Sequence, residues 1–428
     1  MHLLILTHNF PPNFSGAATM QYELAKHMSL AGHHVTVVTT YSSHHMSINT
    51  RPLPSEELLD GIRVFRVKSL NWKWSGFVQR AFAGPIMDWR IVFKGMQCGP
   101  ADVVFLMSPP ITLPIFATLI KYLRRSILVL NVQDIFPELV VAMGILGRKS
   151  LAIRFGQLVE KLAYACADYI GVHSPKNRLH IISCGAPEKK VHVLPLWVDT
   201  SLVHPGPRRN PFSEKHGLND KFVVLYAGTI GFAMGAQTIP QVASLLTGKK
   251  NIQFVVIGDG SKLDEMNDQI KKLGVHNILM LPLQPREDLP DVLASADILL
   301  ITLRKEITDN PNGYFQAVIP HKLLTNMASG RPILMAAEET SDAAGIIRIS
   351  HCGKTAFPED AVSTANVIKE MAADQKLLSV WGQNARAFAL QHFDSNTQVE
   401  RLEKLFLSLC SRQEYEMNDP WDEGEKPA

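Results

Sequence analysis

The feature that most constrains the fold of this chain is a repeated alternation of short, continuously apolar runs with segments of helical periodicity. Apolar runs without polar alternation are typical of strands covered on both faces, as in a parallel sheet flanked by helices. In the first half of the chain such runs predict strands at 3–6, 35–39, 62–67, 103–106, 127–130, 169–172 and 191–194.

The alternation restarts after a polar, proline-containing stretch at 201–221, which we interpret as an interdomain linker. Further strands are predicted in the second half at 222–227, 253–257, 278–281, 298–300 and 332–335. Two successive strand–helix series favour the α/β class, with two doubly wound, Rossmann-like domains that face a central cleft. Sheets of this kind bind ligands in such clefts.

A terminal helix completes the expected organisation. An amphipathic pattern at 396–409 predicts this helix, and the acidic stretch after it has the composition of a disordered tail. The expected boundaries are 1–205 for the N-terminal domain, 206–395 for the C-terminal domain, 396–412 for a helix that packs back on the N-terminal domain, and 413–428 for the tail.

Charge and cysteine content argue against several kinds of function. The formal net charge of +3 over 428 residues is too small to indicate nucleic-acid binding. The five cysteines have no metal-ligand spacing, which argues against a zinc site or a disulfide framework and fits a reducing cytosol. Because no uncharged apolar run approaches the ~20 residues of a membrane-spanning helix, we expect a cytoplasmic protein that meets a membrane only at its surface.

Glycines follow three of the predicted strands. Gly16 lies in the loop after the first strand, Gly228 and Gly231 follow the first strand of the second half, and Gly258 and Asp259 follow the next one. Glycine lets the backbone approach an anion closely, and the N-terminus of the following helix favours negative charge. The loops therefore predict a phosphate site, with a plain strand-to-helix turn as the alternative for the first. The dinucleotide fingerprint Gly-x-Gly-x-x-Gly is absent there, which argues against a nicotinamide oxidoreductase.

The segment at 319–334 is the most informative part of the second half. Pro320 suits the first turn of a helix, because its missing N–H has no acceptor there in any case, and Gly330 suits the end of that helix. Lys322 would then lie near the helix N-terminus, where its ammonium can pair with a diphosphate. The alternative for Lys322 taken alone is a solvated surface lysine.

Several short motifs are specific in their joint order and spacing, although each is weak alone. They are FPP at 10–12 with Gly16, GHHV at 32–35, ADVV at 101–104, DIFPE at 134–138, VLP at 193–195 with VD at 198–199, YAGTIG at 226–231, IGDG at 257–260 and PHKLL at 320–324. In these motifs the chain resembles the family 4 retaining glycosyltransferases of GT-B fold, particularly the bacterial branch that builds surface polysaccharides. The resemblance extends from residue 1 to about residue 410.

The resemblance implies transfer of a sugar from a nucleoside-diphosphate sugar to a hydroxyl, with retention of configuration and without a metal or other cofactor. The donor is expected mainly on the second domain, and a saccharide or polyprenyl-linked acceptor on the first. The chain lacks the Asp-x-Asp motif that binds metal and diphosphate in the other glycosyltransferase fold, which agrees with catalysis by preorganised amides and cations. The expected donor-binding residues are Gly16, Gly228, Thr229, Gly231, Gly258, Asp259, Lys322, Leu323 and Thr325.

The chain departs from the family pattern at two places in the expected donor site. Many relatives carry an arginine and a lysine in the loop that here spans 228–235, where this chain has Thr229 and Met234. Lys322 is then the natural substitute for the missing cations. The paired glutamates of the family would fall on Ala317 and Thr325, so their ribose contact is missing, although Thr325 can offer a hydroxyl to a sugar or ribose oxygen.

Two carboxylates are candidates on the acceptor side. Asp134 follows a predicted strand and stands next to Gln133, where relatives have a His-Asp or Arg-Asp pair. The resemblance places Asp134 at the cleft, where it can orient the acceptor hydroxyl, accept its proton or balance charge at the reacting carbon. Asp134 and Lys322 are the predicted catalytic residues, and capping of the next helix is the alternative for Asp134. Glu138 is expected to be structural or to face the acceptor.

Residues 70–94 combine tryptophan, phenylalanine and basic side chains, a mixture that suits a helix lying in a lipid interface. Lys121, Arg124 and Arg125 add positive charge nearby in sequence. We therefore expect peripheral contact with a membrane that carries a lipid-linked acceptor. The alternative is an ordinary helix that packs its aromatic residues inward.

Two other functions stay open at this point. A catalytically silent subunit that binds sugar nucleotides within an assembly complex is suggested by the missing glutamates and loop cations, whereas the presence of Lys322 and Asp134 argues against it. A GT-B-like epimerase acting on the sugar nucleotide itself would need no acceptor.

Overall fold

The computed structural model describes residues 1–12, 15–41, 53–68, 77–249, 251–305 and 313–413, with side chains from residue 84 onward in the helix that begins at residue 77. The chain forms two compact units. One comprises Met1–Pro195 with Ser395–Ala428, and the other comprises Leu196–Asp394. The division between the units comes earlier in the chain than the expected boundary at 205.

The first unit is built on a sheet of eight strands in the order β3-β4-β2-β1-β5-β6-β7-β8. The strands are β1 (His2–Leu6), β2 (His34–Thr40), β3 (Glu56–Leu59), β4 (Ile62–Val67), β5 (Val103–Ser108), β6 (Ile127–Val132), β7 (Tyr169–Val172) and β8 (Val191–Val193). Strand β3 pairs antiparallel with β4 at one edge, whereas the other strand pairs in the described part of this sheet are parallel. The predicted parallel sheet is confirmed, and the edge strand β3 was not foreseen.

Helices cover both faces of this sheet. They are α1 (Gly16–Leu30), α2 (Phe77–Met96), α3 (Leu113–Arg124), α4 (Glu138–Ala142), α5 (Leu151–Cys166) and α6 (Pro175–Ser183). Helix α2 packs beside α3, and α3 packs beside α5. Right-handed crossovers in the two halves of a doubly wound sheet place these three helices on the face opposite α1. The central strands are therefore fully buried, as the apolar runs predict.

The second unit has a six-stranded sheet, in the order β11-β10-β9-β12-β13-β14, in which all pairs are parallel. The strands are β9 (Phe222–Ala227), β10 (Ile252–Ile257), β11 (Ile278–Leu281), β12 (Ile298–Thr302), β13 (Ile333–Ala336) and β14 (Gly353–Ala356). The helices are α7 (Pro211–Lys215), α8 (Ile239–Ser244), α9 (Leu263–Leu273), α10 (Leu289–Ala294), α11 (Tyr314–Ala317), α12 (His321–Ala328), α13 (Asp342–Ser350), α14 (Ala361–Ala373) and α15 (Gln375–His392).

The polar stretch at 201–221 lies within the second unit, so its interpretation as an interdomain linker is wrong. The Arg208 guanidinium pairs with Asp297 at 3.0 Å and donates to the carbonyl of Lys221 at 2.8 Å. Asn210 caps α7 by accepting the Ser213 amide hydrogen at 2.9 Å. Polar side chains thus fix this stretch through hydrogen bonds, which an apolar pattern does not reveal.

The last helix, α16 (Ser395–Ser411), belongs to the first unit and packs against α1. Phe406 is fully buried against Phe105 of β5. Glu403 accepts hydrogen bonds from the Nε2 atoms of His33 and His27 at 2.9 and 3.2 Å. The chain thus enters the second unit after Pro195 and returns to the first at Ser395. The expected tail at 413–428 lies outside the described residues, apart from Gln413.

Candidate functional site

The carboxyl edge of the second sheet brings together the loops after β9 and β10 and the N-terminus of α12. A Cβ atom added at Gly228 would lie 3.0 Å from the Nζ atom of Lys322. A Cβ at Gly258 would lie 2.0 Å from the carbonyl oxygen of Gly228, and one at Gly260 would lie 2.4 Å from that of Ile230. Only glycine permits backbones to approach so closely. The two predicted loops and Lys322 therefore form one cluster.

The structure changes the role expected of several glycine amides. The Gly228 amide donates to Ile257 O at 2.9 Å, the Gly258 amide to Leu281 O at 3.3 Å, and the Gly260 amide to the carboxylate of Asp259 at 2.7 Å. These glycines thus bring the loops together, and their N–H groups are already used.

Two other amides in the first of these loops remain suitable for an anion. Within the described ranges, the N–H groups of Thr229 and Gly231 have no hydrogen-bond acceptor. Thr229 and Gly231 are thus two predicted donor-binding residues whose main-chain N–H groups can bind a phosphate. Asp259 is exposed, and its carboxylate is occupied by the Gly260 amide.

Lys322 lies half-buried in the first turn of α12, and Pro320 occupies the N-cap position, immediately before the turn in which it was predicted. Its Nζ atom donates to the hydroxyl of Tyr226 at 2.8 Å and lies 4.0 Å from the centroid of that ring. The Tyr226 hydroxyl in turn donates to the carbonyl of Thr229 at 2.7 Å. Burial lowers the pKa of Lys322 to about 7. Lys322 is therefore a poorly hydrated cation held beside the glycine loop, and a bound anion would favour its charged form.

The neighbours of Lys322 in α12 have structural partners. Leu323 is fully buried and its amide donates to Pro320 O at 2.8 Å, so the structure gives it a core position rather than the predicted donor contact. The Thr325 hydroxyl donates to the carbonyl of His321 at 3.3 Å. Nε2 of His321 donates to Trp197 O at 3.0 Å, and burial keeps the pKa of this imidazole below its usual value.

Two residues of this cluster, Tyr226 and Arg304, were not predicted from the sequence. Arg304 follows β12, its guanidinium carbon lies 4.0 Å from the centroid of Phe232, and its amide donates to Ala233 O at 3.3 Å. Its Nε atom is 3.3 Å from Glu359, while its Nη1 is buried without a hydrogen-bond acceptor among the described residues. Arg304 thus places a cation against the loop at 228–235 that itself has none. Its position directly after an apolar run was the available signal.

The carboxyl edge of the first sheet carries a different set of groups. Gly16 is the first residue of α1, and Ser15 caps the helix by accepting the Ala18 amide hydrogen at 3.2 Å. Asp134 follows β6, and its amide lies 3.4 Å from Ser108 O. Helix α4 begins later, with Pro137 at the N-cap position. Asp134 therefore does not occupy the N-cap position, contrary to the helix-capping alternative.

Glu138 is buried at the start of α4 and forms an ion pair with Arg148. This pair connects the beginning of α4 to the segment before α5. The structure thus favours the structural role of Glu138 over the acceptor-facing one.

The first unit also holds a pair that the sequence did not reveal, His8 and Asp88. His8 follows β1, and its Nε2 atom lies 2.5 Å from Oδ1 of Asp88. Asp88 is fully buried in α2, and its other oxygen accepts a hydrogen bond from the hydroxyl of Thr112. With Nε2 donating to the carboxylate, Nδ1 of His8 is left to accept a hydrogen bond.

The aromatic and basic segment at 70–94 is only partly within the described residues. Its members up to residue 76, and the side chains up to residue 83, lie outside them. Trp89 packs edge-to-face against Phe116 at 5.9 Å, yet Trp89 and Phe93 remain about half exposed. No helix in the described ranges is long and apolar enough to cross a membrane.

Each half of the chain matches a known protein family. Residues 15–197 match the family described as "Glycosyl transferase 4-like domain", and residues 208–388 match "Glycosyl transferases group 1". Together these two matches cover most of the chain and correspond to its two Rossmann-like units.

Curated relatives have similar descriptions. The chain is 27% identical over 316 residues to "Probable glycosyltransferase WbjE" of Pseudomonas aeruginosa, covering 72% of this chain and 75% of the relative. It is 22% identical over 357 residues to "Putative colanic acid biosynthesis glycosyl transferase WcaI" of Escherichia coli, covering 79% of this chain and 84% of that protein.

Solved structures show the same fold at low sequence identity. Sucrose-phosphate synthase of Thermosynechococcus elongatus superposes with a TM-score of 0.76 at 15% identity, covering 96% of this chain and all of the other. HepE of Anabaena in complex with UDP-glucose gives a TM-score of 0.69 at 16% identity, covering 95% and 100%. With both halves matched and this fold in common, the chain belongs to the glycosyltransferases of GT-B fold, enzymes that transfer sugars.

Proposed function

We propose that this protein transfers a sugar from a nucleoside-diphosphate sugar to a hydroxyl of a saccharide acceptor, with retention, in the synthesis of a cell-surface polysaccharide. The observation that carries the proposal is the half-buried ammonium of Lys322 beside the loop in which the Thr229 and Gly231 amides have no acceptor among the described residues. The description of WcaI as a colanic acid biosynthesis enzyme and the complex of HepE with UDP-glucose support the class of product and donor.

The chemistry requires stabilisation of the departing diphosphate. The bond between the anomeric carbon and the diphosphate oxygen breaks, and a bond from that carbon to the acceptor oxygen forms on the same face. Lys322 and the two amides would receive the developing negative charge in a site with little water, where fixed donors act most strongly. Arg304 adds a second cation against the same loop. These groups can perform this role without a metal or another cofactor, which we include in the proposal.

We assign the acceptor to the first unit. Asp134 would orient the acceptor hydroxyl or take its proton, and Nδ1 of His8 would accept a hydrogen bond from another acceptor hydroxyl. The buried carboxylate of Asp88 would keep His8 in the required tautomer. A polyprenyl-linked saccharide at the cytoplasmic face of a membrane is the acceptor that we propose.

The decisive experiment is release of nucleoside diphosphate from a panel of UDP-, GDP- and ADP-sugars, with and without acceptors, in the presence of EDTA. Acceptor-dependent release with one donor is the expected result. Loss of that release in EDTA would contradict the metal-free mechanism. Product analysis by NMR gives the anomeric configuration, and inversion would contradict retention.

The same panel separates the two alternatives. Saturable donor binding without release would favour a silent binding subunit, which the missing family glutamates at Ala317 and Thr325 suggest. Conversion of the donor sugar without acceptor, and without net release of nucleoside diphosphate, would favour an epimerase. Asp134→Asn should lower turnover about 100-fold while donor affinity changes little, and unchanged turnover would remove Asp134 from the mechanism.

A further inference from the structure

Helix α5 exposes a stripe of large apolar side chains to solvent. These side chains follow each other at intervals of four, three and four residues, so they lie on one side of the helix over about 17 Å. Their exposed fractions are 81% for Leu151, 66% for Phe155, 55% for Leu158 and 48% for Leu162. Single exposed leucines are ordinary, whereas a contiguous stripe of this kind marks an interaction surface.

The opposite side of α5 explains why the stripe faces outward. Ile153, Glu160 and Ala163 are buried on that side. Gly156 also faces inward, because a Cβ added there would lie 3.2 Å from two side-chain carbons of Pro137. The packing against the first unit thus fixes the rotation of the helix about its axis, and the apolar stripe cannot turn into the core.

The charges around the stripe are of one sign. Arg154 and Lys161 are exposed on α5 beside it, and Lys149 precedes the helix. The acidic residue of α5, Glu160, points inward. Among the described residues, Arg154, Lys161 and Lys149 form no ion pair. The exposed face of α5 therefore combines leucine and phenylalanine with arginine and lysine, and carries no acidic side chain.

The neighbouring helix continues this surface. Helix α3 packs beside α5, and its last turn exposes Tyr122, Leu123 and Arg124, with exposed Arg125 directly after it. Lys121 connects the two helices by donating to the carbonyl of Cys166 at 2.8 Å and pairing with Asp168. Apolar and basic side chains are thus exposed together on the same helical layer.

We propose that the outer face of α5 docks on the surface of a lipid bilayer that contains anionic headgroups. A surface helix with leucine and phenylalanine on one side and basic residues beside them lies parallel to the membrane, with its apolar stripe among the acyl chains. Arginine and lysine can extend from the flank of such a helix to the headgroups, and each cation near an anionic surface adds attraction.

The charges also argue against a second copy of this chain as the partner that covers the outer face of α5. A symmetric dimer through this stripe would place the same patch on both sides of the interface. Arg154 and Lys161 of one copy would then approach the basic residues of the other, with no acidic side chain on the face to neutralise them. An anionic lipid surface supplies that neutralisation.

Flotation of the full chain with vesicles tests the proposal. We expect binding to phosphatidylcholine vesicles containing about 30 mol % phosphatidylglycerol, and much weaker binding to phosphatidylcholine alone. Phe155→Ser with Leu158→Ser should lower binding at least about tenfold, because two buried apolar groups are lost from the lipid contact. Arg154→Gln with Lys161→Gln should remove most of the preference for phosphatidylglycerol while the apolar stripe is intact.

Leu30→Ser is the matched control, since Leu30 is 78% exposed at the end of α1 on the opposite face of the sheet. This variant should bind like the wild type. Circular dichroism and thermal unfolding check that each variant is folded. Wild-type chain that does not float, or a serine double variant that floats normally, would refute the proposal. Light scattering that shows a dimer lost in the serine variant, without vesicle binding, would instead identify a second copy.

Docking of α5 on a membrane does not depend on the sugar-transfer chemistry. Turnover of a water-soluble acceptor should be unchanged in the serine variant, so a failure of vesicle binding and a failure of the proposed function give different results. If a folded serine variant lost turnover of the water-soluble acceptor, the stripe would have a role in catalysis and not only in docking.

Discussion

In each unit an ionisable side chain with little contact to solvent lies next to a tyrosine, and the two pairs have different surroundings. In the second unit Lys322 donates to the Tyr226 hydroxyl, and burial lowers its pKa to about 7. In the first unit Tyr164 donates to Glu160 at 2.7 Å, and burial raises the pKa of Glu160 to about 8. Both pKa values have moved toward the neutral form for the same physical reason.

The surroundings of the two groups differ. Lys322 is half-buried at the carboxyl edge of a parallel sheet, close to the glycine loop after β9. Glu160 is 2% exposed on the inner side of α5. Desolvation therefore does not identify a functional group by itself. What distinguishes Lys322 is its accessibility together with nearby amides that can bind the same ligand.

The largest expected effect comes from removing the ammonium group of Lys322 in the second unit. Lys322→Ala should lower kcat/KM about 1000-fold, mostly through weaker donor binding, because the developing charge of the diphosphate loses its main partner. Steady-state kinetics and donor titration measure this. Lys354→Ala is the control, since Lys354 lies on the edge strand β14 and forms a partly exposed ion pair with Glu370. Normal donor affinity in Lys322→Ala would remove the distinction between the two units.

Neutralising Glu160, the buried acid of the first unit, should affect stability but not activity. Folding takes up a proton at Glu160, because its pKa is raised from 4.5 to about 8 in the folded chain. The free energy of unfolding of the first unit should therefore fall as the pH rises from the pKa of Glu160 in the unfolded chain toward its pKa in the folded chain. The expected loss is about 3 kcal/mol between about pH 5 and about pH 7.5. Glu160→Gln should abolish most of this dependence in denaturant titrations.

Exposed Glu188, which pairs with Arg178, provides the control for that measurement. Glu188→Gln should retain the wild-type pH dependence of stability. A Glu160→Gln variant with the same pH dependence as wild type would show that this carboxyl is charged in the folded chain. Loss of sugar transfer in Glu160→Gln would show that the buried acid of the first unit has a role in the site after all.

Donor binding should itself depend on pH through Lys322. Its ammonium is fully present below about pH 7 in the free protein and is lost as the pH rises through that value. The affinity for a nucleoside-diphosphate sugar should then fall by up to about tenfold per pH unit above pH 7. Calorimetry in buffers of different ionisation enthalpy should detect proton uptake on binding. Constant affinity between about pH 6.5 and pH 8.5 would contradict a neutral lysine in the free site.

The smallest expected effect concerns the two tyrosines. Tyr226→Phe removes the acceptor of the Lys322 hydrogen bond, so donor affinity should fall about three- to tenfold. The midpoint of its pH dependence should also move to lower pH, since that hydrogen bond favours the charged amine. Tyr164→Phe in the first unit should leave both quantities unchanged. If Tyr226 only fills space in the core, the midpoint of the pH dependence of donor affinity should not change in Tyr226→Phe.

The parallel strands were predictable from sequence because both of their faces are covered by helices. Strand β3 was missed because its residues are partly or fully exposed at an edge, and β14 because Gly-Lys-Thr-Ala has no apolar run. Helix α5 shows a deeper difficulty. Its inner side includes small residues such as Gly156 and Ala163 and the acidic Glu160, whereas its outer stripe consists of leucine and phenylalanine. Hydrophobic periodicity alone would assign the outer stripe to the core.

Residues of the candidate site could be predicted only where a local sequence motif indicates them. Lys322 followed from its position after Pro320 and from the neighbouring motif. Tyr226 was missed because the Lys322 side chain that it contacts is 96 residues away in sequence, and the contact between His8 and Asp88 spans 80 residues. Such pairs are created by sheet topology. The structure places two of the glycine loops directly after β9 and β10, while their use as a phosphate site stays a prediction. Which of their amides can bind a ligand depends on the hydrogen bonds of the folded backbone.

The return of α16 to the first unit has a consequence for synthesis on the ribosome. The second unit is contiguous in sequence, whereas the first is interrupted between Pro195 and Ser395. Phe406 packs against Phe105, and this contact cannot form until the whole of the second unit has been translated. The second unit can thus complete its fold before the first, although it is made later. Truncation within α16 would expose the interior of the unit that was synthesised first.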